Sequence, residues 1–224
     1  MMNIEVNGIN LHYQCVGTGP AILLLHGNGG SHKMFDPLVN RLANYYTVYA
    51  IDSRGHGKST KVKHLSYHDK VKDVVCLIKQ LQIEKPIVYG FSDGGIIGLM
   101  MASKYPDLLS KLIVSGANTN PDAIKANWRY LIKFLACVTG SPKLRLMLNE
   151  PQITKVELNR IKIPVLVLAG ERDVIKYENT LFIAENMPQS QVRILPKETH
   201  GSYVKNNAKL YSLIKIFIKK AEID

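Results

Sequence analysis

Cysteine is scarce in this chain: Cys15, Cys76 and Cys137 are the whole complement of its 224 residues, widely spaced and without a C-x-x-C pair. That pattern excludes a disulfide framework or a zinc knuckle, and the thiols read as reduced core groups. Long apolar runs are missing too. No stretch approaches the roughly 20 residues of a membrane span, and the Met1 to Asn7 start has neither the basic nor the apolar part of a secretory leader. A cytoplasmic location without a membrane span is therefore the expectation. Acidic residues are few: 18 Asp and Glu face 29 Lys and Arg, a net charge of +11. Such an excess suits an anionic partner such as nucleic acid, a membrane surface or an acidic substrate. The lysines are spread along the chain, however, and the densest patches, Lys58 to Lys63 and Ile216 to Lys220, are short. No nucleic-acid-binding motif accompanies them, so nucleic acid is not an expected partner.

What the chain does have is the composition and length of one globular domain, residues 1–224, able to bury a core without staples. Short apolar runs alternate with helical patterns, the mark of an α/β fold with a mostly parallel, doubly wound sheet covered on both faces. Asn3 to Val6 and Leu11 to Val16 read as antiparallel edge strands around an Asn7-Gly8 turn. Buried strands are expected at Ala21 to Leu25, Thr47 to Ile51, Pro86 to Tyr89, Lys111 to Ser115, Pro164 to Ala169 and Val192 to Leu195. A helix opens at Ser66, with Asp69 placed for a capping box, and puts Val71, Val74, Val75, Ile78 and Leu81 on one face. Val204 to Ile218 gives a closing amphipathic helix. Residues 117–162 break the alternation with helical pieces only, around Trp128, Tyr130, Leu131, Phe134 and Leu135. They read as a helical lid over the carboxyl ends of the strands, with capping of the core as the other use of those aromatics.

The chemistry centres on Gly90-Phe91-Ser92-Asp93-Gly94, a G-x-S-x-G between an apolar strand and a helical run. On frequency alone the pattern is weak, but its position at a strand-to-helix turn gives the glycines a steric purpose and exposes the serine hydroxyl. A neutral hydroxyl is a poor nucleophile, so a base and an orienting acid are required. Asp173 follows the apolar strand ending at Ala169, and His200 follows the next strand. Ser92, Asp173 and His200 are the catalytic candidates. Glu171 and Glu198 are rival acids, read as solvated loop carboxylates.

Together with His26-Gly27-Asn28-Gly29-Gly30 and Asp52-Ser53-Arg54-Gly55-His56-Gly57-Lys58-Ser59, these motifs make the chain resemble an α/β-hydrolase from Leu11 to Ile218. The order Ser, acid, His fits that resemblance. It implies an oxyanion hole from the backbone N–H groups of Asn28 and Asp93. His26 would orient that loop, and the Asp52 to Ser59 stretch, His56 included, would be structural. Ser92-Asp93-Gly94-Gly95 with Ser115-Gly116-Ala117-Asn118 resembles the valacyclovir-hydrolase, biphenyl-hydrolase-like branch. That likeness implies a small-molecule ester substrate, with Asp93 placed to recognise the ammonium of an amino acid ester, the other use of its carboxylate being to favour the start of its helix; Trp128, in the helical segment, is a further candidate substrate contact. Amide, thioester or carbon–carbon cleavage on the same residues, and a binding protein without chemistry, stay open as alternatives.

Two phosphate motifs fail on inspection. The opening glycine of G-x-x-x-x-G-K-S falls on Asp52, and the third glycine of a dinucleotide fingerprint falls on His32. No cofactor and no metal are expected, and the oligomeric state is left open.

Overall fold

The structure, a computed structural model, describes residues 1–205 and 207–220. Eight strands form one sheet: β1 (Met2–Val6), β2 (Ile9–Val16), β3 (Ala21–Leu25), β4 (Thr47–Ile51), β5 (Ile87–Phe91), β6 (Lys111–Ser115), β7 (Val165–Arg172) and β8 (Ser190–Thr199), in spatial order β1-β2-β4-β3-β5-β6-β7-β8. The first two strands make a hairpin, with Val6 opposite Ile9 across Asn7 and Gly8, both at positive φ (46° and 74°) as a tight two-residue hairpin turn requires. β2 also pairs antiparallel with β4, and every neighbour beyond is parallel. All the expected strands form.

Parallel strands buried on both faces must be apolar on both, and β3 shows how the sheet divides its core. Leu23 and Leu25 join one layer with helices α2 (Tyr67–Gln80), α3 (Asp93–Lys104), α6 (Lys155–Asn159) and α7 (Tyr177–Glu185). Ile22 and Leu24 join the other with α1 (Asp36–Leu42), α8 (Ser202–Lys205) and α9 (Asn207–Lys220). The expected closing helix thus appears as α8 and α9, and residue 206 between them lies outside the described residues, as do residues 221–224.

Between β6 and β7 the chain makes no strand, only a 3-10 turn at Pro121–Ala123, α4 (Ala126–Thr139), α5 (Pro142–Asn149) and α6. Two local expectations need correction. Ser66 does cap α2, but its side chain accepts from His68 N, and no bond returns from Asp69, whose carboxylate lies 3.7 Å from Arg54. The reciprocal box forms instead at Thr154 and Glu157. Of the cysteines, Cys137 is exposed on α4 and the other two are half-buried, so none is a fully buried core thiol. No helix among the described residues is long and apolar enough to cross a membrane.

Candidate active site

Ser92 sits where β5 ends and α3 begins, at φ 52° and ψ −113°, a conformation that costs a non-glycine residue energy and needs its surroundings to hold it. The neighbouring glycines let those surroundings close in. A Cβ at Gly90 would lie 2.2 Å from the Gly94 carbonyl oxygen, and one at Gly94 would lie 2.0 Å from that of Leu25. The Ser92 N–H donates to the Ser115 carbonyl at 2.7 Å, tying the turn to the end of β6. The hydroxyl is thereby left pointing off the top of the sheet.

The partners arrive from the neighbouring parallel strands. β7 and β8 run further than their apolar cores suggested, and Arg172 pairs with Thr199 across a register shift. Asp173 and His200 therefore leave the sheet side by side. His200 Nδ1 lies 2.7 Å from Asp173 Oδ1, and His200 Nε2 lies 3.1 Å from Ser92 Oγ. A carboxylate only accepts, so Nδ1 carries the proton and Nε2 turns its lone pair to the serine. Burial works to raise the Asp173 pKa, but the His200 ring and N–H donors from Ile175 and Gly170 outweigh it and hold the carboxyl below its ordinary value. Phe91 packs on the His200 ring with centroids 5.0 Å apart. Gly116, at φ +61°, leaves the space the ring needs: a Cβ there would lie 2.7 Å from His200 Cε1.

The rival acids are engaged elsewhere. Glu171 accepts from the Lys197 N–H at 2.7 Å, while Glu198 accepts from Ser202 and Lys209.

The Gly27 to Gly30 loop closes the other side of Ser92. His26 accepts the Ser53 N–H at Nε2 and so donates from Nδ1 to the Gly27 carbonyl, fixing the loop. A Cβ at Gly27 would lie 3.1 Å from the Ser92 Cβ. Among the turn and loop bonds of the described residues, neither the Asn28 nor the Asp93 backbone N–H is taken by a carbonyl. The Asn28 side chain instead reaches the Lys143 carbonyl on α5 at 2.9 Å. His56 is fully buried and donates to the Arg54 carbonyl, its pKa lowered to about 4 by burial and by Lys70.

Above Ser92 lies a cavity of about 530 Å³, lined by His200, Phe91, Ile124, Ile175 and, from the helical segment, Trp128, Ile132, Leu144 and Met147. Two carboxylates, Asp93 and Glu150, also reach its wall. Asp93 already has partners within the fold. Its Oδ1 accepts from the Tyr67 hydroxyl and its Oδ2 from Lys70 Nζ, each at 2.7 Å, with both charged groups at most 4% exposed. Burial would raise the Asp93 pKa, yet Lys70 and Tyr67 bring it below the ordinary value, so it is a carboxylate already neutralised from within the fold. A ligand ammonium expected at Asp93 would therefore meet a carboxylate already paired with a buried lysine and a tyrosine hydroxyl. Lys70 and Tyr67 were not singled out in the sequence because they stand on α2, far from the serine motif in the chain, and read there as ordinary helix residues.

Among the described residues one side-chain group could hold a metal: His12, His32 and Asp52 offer ligand atoms within 4.8 Å of one another. None lines the cavity, and both Asp52 oxygens already accept protein donors, from His32 and Lys58.

Comparison with known proteins bears on the fold and the family. Residues 20–136 match the family described as the alpha/beta hydrolase fold. A curated mouse protein, serine hydrolase BPHL (Mus musculus), is 30% identical across 96% of this chain and 85% of its own length. Among solved structures, an esterase from Exiguobacterium antarcticum superposes with a TM-score of 0.86 at 20% identity, covering 97% of this chain and 98% of that one. A meta-cleavage product hydrolase from Pseudomonas fluorescens does so at 0.84 and 17%, covering 99% and 98%. With its family signature spread over half the sequence, and a relative named a serine hydrolase matched along nearly all of it, the chain belongs to the α/β-hydrolase fold family of enzymes.

Proposed function

We propose that this enzyme hydrolyses small-molecule esters with a neutral, apolar acyl group through an acyl-enzyme on Ser92. The observation that carries the reading is the unbroken hydrogen-bond line from Asp173 through His200 to Ser92 at the floor of an apolar cavity. In the first half-reaction Ser92 Oγ attacks the ester carbonyl while its proton passes to His200 Nε2. Negative charge on the carbonyl oxygen is met by the Asn28 and Asp93 backbone N–H groups, aided by the amino-terminal end of α3. The tetrahedral intermediate collapses, and His200 returns the proton to the departing alcohol. A water then repeats the attack on the acyl-serine with His200 as base, releasing the acid and restoring the serine. Asp173 keeps the imidazole in the required tautomer and stabilises its positive charge in each transition state.

The acyl preference rests on the wall. Its surface is mostly apolar, and its volume falls in the range of small-molecule sites. Residues 117–162 act in this reading as a lid, supplying Trp128 and Leu144 to the substrate side of the cavity.

A fluorophosphonate probe tests the nucleophile. Native protein is expected to be labelled and Ser92→Ala to be unlabelled with an unchanged circular dichroism spectrum; persistent labelling of the variant overturns the assignment. A panel of aryl esters then tests the acyl preference, with neutral alkanoyl esters expected to outpace α-amino acid esters.

A further inference from the structure

We propose that the outer face of the α4 and α5 cap docks the protein onto the surface of an anionic lipid bilayer. The observation is an inversion of the usual rule for a surface helix. Of the residues in α4 only Ala136 is buried, while Tyr130, Phe134 and Val138 are 69%, 64% and 68% exposed and Leu131 is 45% exposed. Residues four apart share one face of a helix, so Tyr130, Phe134 and Val138 form a single apolar stripe. Trp128 and Ile132 line the cavity from the adjoining side of the same helix, and Trp128, 45% exposed, also reaches the solvent at the rim of the stripe. Contiguous exposed apolar surface of this kind marks a contact site.

Charge selects the occupant. Between Asp122 and Glu150 the chain carries Lys125, Arg129, Lys133, Lys143 and Arg145 and no acidic residue. Lys125 and Arg129 are engaged, by the Asp173 carbonyl and by Asp122. Among the described residues the exposed Lys133 and Arg145 have no ion-pair partner, while Lys143 is half-buried within electrostatic reach of Asp93 and Lys70. Apolar and aromatic side chains flanked by unpaired cations match a bilayer interface carrying negative head groups. A second copy of the chain would bring a like-charged face against this one. A polyphosphate has no use for Leu131 and Val138. Docking is independent of the esterase reading; its consequence for catalysis rests on that reading, since a cavity walled by Trp128 and Ile132 would then open at the interface, where membrane-partitioned esters collect.

The chain has one tryptophan, and it is Trp128, so tryptophan emission, excited selectively over the tyrosines, reports on α4 alone. Vesicles of phosphatidylcholine with 30% phosphatidylglycerol by composition, roughly the charge of an acidic bilayer, are added to the whole protein at low salt. A blue shift of Trp128 emission together with co-sedimentation is expected, weaker on pure phosphatidylcholine. Phe134→Ser with Val138→Ser should abolish the blue shift, and Lys133→Glu should reduce sedimentation, while fluorophosphonate labelling in lipid-free buffer stays unchanged in both. Failure to sediment with either vesicle overturns the proposal. So does sedimentation that the α4 variants do not alter, which would assign it to lysines elsewhere, and so does a lipid-free dimer, by sedimentation velocity, that Phe134→Ser with Val138→Ser dissociates.

Discussion

The two walls of the cavity are built on opposite principles. On the sheet side the reactive side chains are held: Ser92 by a strained turn that two glycines allow, His200 by Asp173 and Phe91, Asp93 by Lys70 and Tyr67. On the cap side α4 buries one residue and turns its largest side chains either into the cavity or out to solvent. On the proposed function the difference separates two tasks. Bond-making needs atoms held to within a few tenths of an ångström, which only a packed sheet and closed hydrogen bonds provide. Admitting a substrate needs surface that can be wetted, covered or moved at little cost, and elements with few buried contacts open most easily.

The sharpest break in the comparison is expected at Asp173. Asp173→Asn keeps the shape of the sheet-side wall but presents an amide to His200, which disfavours the tautomer that points a lone pair at Ser92. A fall in kcat on the order of 10⁴ is expected, with stability little changed. Steady-state kinetics on an activated ester checks this, and a loss below tenfold would mean that His200 is oriented by other groups.

Next in size is Lys70→Met, which strips the partner from a buried carboxylate. The cost should be about 3–5 kcal/mol at neutral pH, and Lys70→Met with Asp93→Asn together should recover much of it. The pH dependence has a definite sign. In the native chain the Asp93 pKa lies below its ordinary value, so its contribution to stability is present above the unfolded pKa and is lost as pH falls through the folded one. Without Lys70, burial is opposed chiefly by the Tyr67 hydroxyl and is expected to raise that pKa, so the variant gains stability on acidification from this group while the native protein does not. The gap between the two, measured by urea unfolding from pH 7 to pH 4, should narrow; a constant gap would show that the pair is not the source of the cost.

The smallest effect sharpens the contrast. Leu168→Ala, at a fully buried position of β7, should cost about 2–5 kcal/mol, whereas Val138→Ser, at 68% exposure on α4, should stay within about 0.5 kcal/mol. Urea midpoints for the two variants test whether the cap contributes to the stability of the fold at all. A large loss at Val138 would mean that the outer stripe packs against something in the isolated protein.

The sheet was legible because its strands are local signals. Ala21 to Leu25 and Lys111 to Ser115 are apolar runs between turn residues, and burial on both faces of a parallel sheet makes such runs necessary. The serine turn was legible for a related reason, since Gly90 and Gly94 are demanded by contacts within their own strand-turn-helix unit and with the adjacent strand. Asp173 and His200 could be placed at strand ends. That they meet, however, depends on β7 and β8 continuing to Arg172 and Thr199 through residues whose polar character read as loop.

The sequence by itself determined the layered α/β architecture, the residue types at the serine turn and the order of the candidate catalytic groups, because each depends on patterning or on short-range sterics. Only the tertiary structure decided which charged groups meet near Ser92. Asp93 looked free beside the nucleophile, and its fate was set by Lys70 and Tyr67, 23 and 26 residues away on α2. The exposed stripe of α4 was equally hidden: an amphipathic pattern states which residues share a face, and whether that face is covered depends on what the rest of the chain brings against it.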